Sequence, residues 1–190
     1  MIRDYLSLRL LGLFLFFSLG CTLLNQTKPK PEDFSLQYHW SESALPPLYH
    51  YEYAIHLGPG AQGLIEFWPD YPGADTPVWT ETFEVANEDL DKLYALMGSQ
   101  GLLIEAWLQS DDLPDGAPAD SLQVTAEGRQ IGVPSYVAPA HQEQAQAVYA
   151  RIKALLPRPI WTHLMARYEQ YQQDVLAGRQ PAESTPTRFF

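Results

Sequence analysis

Along this chain the spacing of apolar residues changes period several times, and each change marks an element. From Tyr49 to Leu57 apolar and polar positions alternate, with Tyr49, Tyr51, Tyr53, Ile55 and Leu57 on one side and His50, Glu52, Ala54 and His56 on the other. Alternation at period two over this length predicts a half-buried strand. Gly58–Gly63 reads as a turn, Leu64–Trp68 as the returning strand, and Pro69–Gly73 as a second turn. Val78–Val85 predicts a third strand with Trp79, Phe83 and Val85 on one face. Leu102–Leu108 predicts a fourth, Ser110–Asp120 an acidic loop, and Leu122–Ala126 with Arg129–Val133 a hairpin turning at Glu127-Gly128. Upstream, Phe34, Leu36, Tyr38 and Trp40 alternate over a segment short enough for an edge strand, which Pro46-Pro47 closes.

Helical spacing appears in three places. Asn87 predicts an N-cap, with Glu88 and Asp89 in the first turn where the helix dipole favours acid. Leu90, Leu93, Tyr94 and Met97 form the apolar stripe, and Gly98 the expected stop. A second helix is predicted over Pro139–Leu156, striped by Ala145, Val148, Tyr149, Ile152 and Leu155 and ended by Pro157. A third starts at Pro159, with Trp161, Leu164, Tyr168, Tyr171 and Val175 as its stripe and Gly178 as its end. Strands, helix, strands and helices in that order predict an α+β fold: an antiparallel sheet of about five to six strands with three helices mainly on one face. Residues 48–178 are expected to form this single domain, 21–47 a tether, and 179–190 a disordered tail. No internal repeat is found.

The first twenty residues follow a different rule. Arg3 and Arg9 give positive charge, and Leu10–Leu19 is apolar apart from Gly12 and Ser18. That run is shorter than the ~20 residues that span a bilayer and has the length of a signal-peptide core. It ends Ser18-Leu19-Gly20-Cys21, with Cys21 the sole cysteine of the chain. This stretch resembles the lipobox of bacterial lipoproteins, with Ser18 where Leu is usual. The resemblance implies cleavage between Gly20 and Cys21, removing residues 1–20, and acylation of Cys21 with palmitate-type chains. Two or three acyl chains give stable anchoring where one does not. Thr22, next to the cysteine and not Asp, implies sorting to the outer membrane in a cell that has two. The expected localisation is therefore the exported face of the cell envelope.

Charge and composition narrow the function. Hydrophobic residues make up 46% of the chain, so most of it has the means to fold. The formal charge is −11. With Arg3, Asp4 and Arg9 gone, ten Lys and Arg face 22 Asp and Glu. That balance argues against nucleic acid and against electrostatic docking on anionic lipid, both of which need clustered cations. It leaves solubility, or a basic partner, as its use.

Gly58-Pro-Gly60-Ala-Gln-Gly63 matches the dinucleotide fingerprint literally, but a strand follows where a helix N-terminus is needed, so no nucleotide is expected. Asp111, Asp112, Asp115 and Asp120 lack EF-hand spacing, because Leu113 and Leu122 stand at ligand positions. An irregular Ca²⁺ site on the same four aspartates is the alternative there. His50, Glu52 and His56 are ligand types on one strand face, yet residues 50 and 56 are ~20 Å apart at ~3.3 Å per residue, too far for one ion. His39, His141 and His163 show no ligand spacing. No nucleophile elbow occurs, and Asp89 and Asp91 are explained by the helix start. No cofactor and no catalytic residue are assigned.

The remaining feature is aromatic density in the sheet. Most of those rings suit a core, while Trp68 and Tyr71, beside turn prolines, are expected to be exposed as a recognition patch. The leading expectation is a non-enzymatic envelope lipoprotein that binds a protein partner or serves assembly. The alternatives are an envelope binding protein for a lipid or glycan and a hydrolase acting on envelope material. Replacing Cys21→Ser is expected to leave uncleaved precursor or to release the protein from the detergent phase; unchanged processing and membrane retention would rule lipidation out.

Overall fold

Six segments extend and pair as one antiparallel sheet, and three helices cover one side of it. The computed structural model describes residues 29–179, so the expected signal segment, the Gly20-Cys21 junction and the tail beyond 179 lie outside the described residues. The strands are β1 (Ser35–Ser41), β2 (Glu52–Leu57), β3 (Gln62–Trp68), β4 (Trp79–Glu84), β5 (Ala119–Ala126) and β6 (Arg129–Val133). The helices are α1 (Asn87–Ser99), α2 (Gln142–Lys153), preceded by a 3₁₀ turn at Pro139–His141, and α3 (Arg158–Leu176). The sheet order is β4-β3-β2-β1-β5-β6. The expected α+β class therefore holds.

The main departure concerns β1. A tether through residue 47 and an edge strand were expected, but β1 is central. Its register runs Leu36–Leu57 and Trp40–Tyr53 on one side, and Leu36–Val124 and Trp40–Asp120 on the other. Phe34, Leu36 and Tyr38 are buried, so ordered packing begins by Phe34, well before residue 48. Pairing on both edges satisfies every backbone group of the strand, which an edge position would not. Asp33 adds a clamp: its carboxylate accepts the Glu127 and Gly128 N–H groups at 2.9 and 2.6 Å. These two turn residues have φ of 54° and 71°, the left-handed pair of a two-residue hairpin. The two N–H bonds hold the Asp33 carboxyl below its usual range, Gly128 contributing most.

The core forms where the helix stripes meet the inward face of the sheet. Tyr53, Ile55, Ile65, Phe67, Trp79 and Phe83 project inward from β2, β3 and β4, and Leu122 and Val124 from β5. Leu90, Leu93 and Met97 of α1, Val148, Tyr149 and Ile152 of α2, and Ile160, Leu164 and Tyr168 of α3 close over them. Val175, expected in the stripe of α3, is exposed in the last turn of the helix. The predicted helix limits shift slightly. Ala86 is the N-cap of α1 and Asn87 its first residue. The stop is Gly101, not Gly98: its φ is +87°, its N–H bonds to the Gly98 carbonyl and that of Leu102 to Met97, the pattern of a Schellman cap.

The same cap removes the expected strand at Leu102–Leu108. The Ile104 and Glu105 N–H groups also turn back to the Gly101 carbonyl, leaving only a bridge from Gln109 to Val137. Leu102 and Trp107 reach the core without a strand.

Gly63 shows how closely the sheet is packed. A Cβ there would sit 2.4 Å from the Phe83 ring, whereas one at Gly60 would meet nothing within 4 Å. Gly63→Ala is expected to cost about 1–3 kcal/mol by overpacking and Gly60→Ala less than ~0.5 kcal/mol. Urea denaturation of both variants checks the contrast.

Candidate functional site

Trp68 and Tyr71 come from the end of β3 and the turn after it, and a chain of polar side chains joins them. Trp68 is half-buried on the face of the sheet away from the helices and meets the His39 ring edge-on at 6.3 Å. His39 Nε2 lies 2.8 Å from Glu52 Oε2, and His50 Nε2 lies 2.9 Å from Glu52 Oε1. His50 in turn stacks on Tyr71, with ring centres 3.7 Å apart and planes 6° from parallel. The Tyr71 hydroxyl donates to the Leu45 carbonyl at 2.7 Å. One carboxylate thus holds two imidazoles, each of which supports one of the two rings singled out in the sequence.

His50 was expected to face outward with Glu52. It is buried, because it precedes β2 and strand alternation does not govern it. Its Nδ1 faces the Ser43 carbonyl at 3.1 Å. Both ring nitrogens therefore meet acceptors; a neutral ring donates to one of them, a doubly protonated ring to both. His39 joins the group although it has no ligand spacing in sequence, because β1 pairs beside β2 and sets His39 next to Glu52. His56 does not join the group and pairs with Glu66 at 2.8 Å. Among the described residues no group of three His, Cys, Asp or Glu is placed to hold a metal ion. Asp120 belongs to β5 and accepts the Tyr38 hydroxyl, apart from the exposed Asp111, Asp112 and Asp115.

Burial raises the pKa of the Glu52 carboxyl, but the hydrogen bonds from His39 and His50 outweigh this and the net direction is downward. On the other face of the sheet Glu81 is buried with its Oε1 2.6 Å from His163 Nδ1. Arg167 lies over the Trp79 ring at 4.3 Å, and burial lowers its pKa while Glu81 opposes that. The carboxylates therefore sit on opposite faces and do not converge in one cleft.

The segment before β2 is strained. Leu48 has φ of +80°, a region that costs a bulky residue of order 1–3 kcal/mol and persists only where its surroundings fix it. Those surroundings are explicit. Its carbonyl accepts Tyr168 Oη at 3.1 Å and Gln172 Nε2 at 2.8 Å, and its N–H donates to Asp70 Oδ2 at 3.2 Å. Burial pushes the Tyr168 hydroxyl up to about 12, so it remains a donor at neutral pH. The forced turn leaves Tyr49 53% exposed, and Tyr71 and Leu45, which share a hydrogen bond, are 39% and 38% exposed.

Charge is segregated as well. Twelve carboxylates and no Lys or Arg lie between residues 31 and 91, the span that makes β1 to β4 and this cluster. No protein-family model matches the chain, and no curated protein matches its sequence. No helix among the described residues is long and apolar enough to cross a membrane.

Glu52→Gln is expected to destabilise the protein by about 1–3 kcal/mol at neutral pH, because His50 is left buried with a weaker acceptor. Folding depresses the Glu52 pKa, so its contribution is complete above the ordinary value of 4.5 and is lost as pH falls through the lower folded value. The stability gap between the parent and Glu52→Gln should therefore narrow below pH 4.5, read by urea unfolding across pH.

Proposed function

We propose that the protein is a lipid-anchored, non-enzymatic binding domain of the bacterial envelope that docks a basic protein surface through Tyr49, Tyr71 and Leu45. The observation that carries this reading is that two tyrosines stand in the open on fixed backbone: Tyr49 follows the strained Leu48, which three hydrogen bonds hold, and Tyr71, on the turn after β3, is tied down by the Leu45 carbonyl and the His50 ring. A rigid, exposed tyrosine supplies contact area with few side-chain torsions to freeze, which is why such rings dominate binding hot spots. The surrounding carboxylates, with no Lys or Arg from residue 31 to 91, suit a partner of opposite charge and favour fast encounter at low salt. The lipobox resemblance at Gly20-Cys21 supports an anchor that confines both molecules to one membrane surface, and confinement raises effective concentration. Trp68 belongs to the support of this patch through His39 and not to its contact surface.

A detergent-solubilised pull-down of the tagged full-length protein from its native membrane, read by mass spectrometry, tests the proposal. A protein recovered in stoichiometric amount, weakened by 0.5 M salt and at least tenfold by Tyr49→Ala, is the expected result. The Tyr49 ring makes no polar contact that its loss would orphan. Absence of a protein partner, or recovery indifferent to Tyr49→Ala, overturns the reading.

A further inference from the structure

The helical side of the molecule carries a second site of different chemistry. Where α2 hands over to α3, a cleft of about 430 Å³ opens against the inward face of β2, within the ~300–1,000 Å³ span of small-ligand sites. Tyr53 and Ile55 of β2, Leu156 of the connecting turn and Trp161 of the first turn of α3 give it apolar walls. Two further lining residues, Lys153 and Arg158, are cations.

Their setting is unusual for this chain. From residue 139 to 179 five Lys and Arg outnumber three Asp and Glu, against a net −11 for the whole. Arg158 is exposed, and among the described residues no carboxylate lies within ion-pairing distance of it. Lys153 Nζ stands 3.9 Å from Asp120 Oδ1, at the limit of an ion pair, and that carboxylate already accepts the Tyr38 hydroxyl. An unpaired guanidinium and a loosely held ammonium beside apolar walls leave one kind of ligand that satisfies both parts. The walls take a hydrocarbon or aryl tail, and the cations take an acidic head by charge-assisted hydrogen bonds, Arg with two parallel donors.

We infer that this cleft binds an anionic amphiphile, a carboxylate or phosphate head on a short hydrocarbon tail. The site is independent of the tyrosine patch, which is built from the segment before β2 and the turn after β3. Tail burial predicts that affinity rises roughly fourfold for each added methylene until the cleft is full.

The test is calorimetric titration of the full chain in nanodiscs, with empty nanodiscs as the blank, using decanoate, decyl phosphate and decanol as probes. Decanoate and decyl phosphate are expected to saturate at one per chain, and decanol to bind at least tenfold more weakly. Arg158→Ala should weaken both anions about tenfold. Ala154→Trp, which adds a ring at an exposed lining position, should abolish binding with the melting temperature unchanged. Tyr49→Ala should leave it intact, so loss of the protein partner and loss of this ligand are separable. No saturable binding, equal binding of decanol, or anion binding indifferent to both Arg158→Ala and Ala154→Trp would overturn the inference. A response to decyl phosphate alone assigns the head as phosphate, and equal responses leave the shared anionic chemistry as stated.

Discussion

The seating of β1 between β2 and β5 is the constraint on which the rest depends. Without it the sheet separates into β4-β3-β2 and the β5-β6 hairpin, and two or three strands alone hold marginally. Tyr38 is the keystone of that seat. It is fully buried, bonds Asp120 of β5 through its hydroxyl, and packs on Tyr53 of β2 and Tyr149 of α2 at 6.1 and 5.4 Å between ring centres. One side chain thus ties both halves of the sheet to a helix. Burial and the Asp120 carboxylate together push its hydroxyl well above the usual tyrosine range, which keeps it a donor to that partner. Joining β1 to β5 also requires closing a loop of nearly eighty residues, a cost that local contacts do not offset and that slows folding.

Where local chemistry decides, the chain could be read directly. The β2-β3 and β5-β6 hairpins, the stripe of α1 and the proline that separates α2 from α3 all stand close to where period and turn residues put them. The departures have one origin, which is that pairing partners are not local. Phe34–Trp40 has the alternation of a strand, but nothing in it reveals neighbours on both sides, so a central strand reads as an edge. Leu102–Leu108 has strand composition, yet Gly101 captures its N–H groups in a helix cap. The candidate site divides in the same way. Turn prolines pointed to Trp68 and Tyr71, whereas Glu52 as a bridge between His39 and His50 needs β1 and β2 side by side before it can be seen. Strain at Leu48 has no signal in the residue itself, since leucine does not favour that conformation; it arises from three donors and acceptors far along the chain.

The two faces of the sheet differ in character. The face away from the helices carries Glu52 and Glu66, each paired with imidazole, whereas Glu81 and Asp120 turn to the helical side. The helical side carries Lys153 and Arg158 beside the apolar cleft, together with the acidic first turn of α1. Glu52 and Glu66 find their histidine partners in a span from residue 31 to 91 that holds no lysine or arginine.

The placement of β1 has a mechanical consequence. Whatever precedes Pro29 is attached to the middle strand of the sheet, so a pull from that end against the segment that follows β1 is directed along β1. Its neighbours on both sides run antiparallel, and a load along the strand shears both hydrogen-bond ladders at once, whereas an edge strand would peel one bond at a time. A chain fixed at one end would therefore yield last at the strand through which it is held.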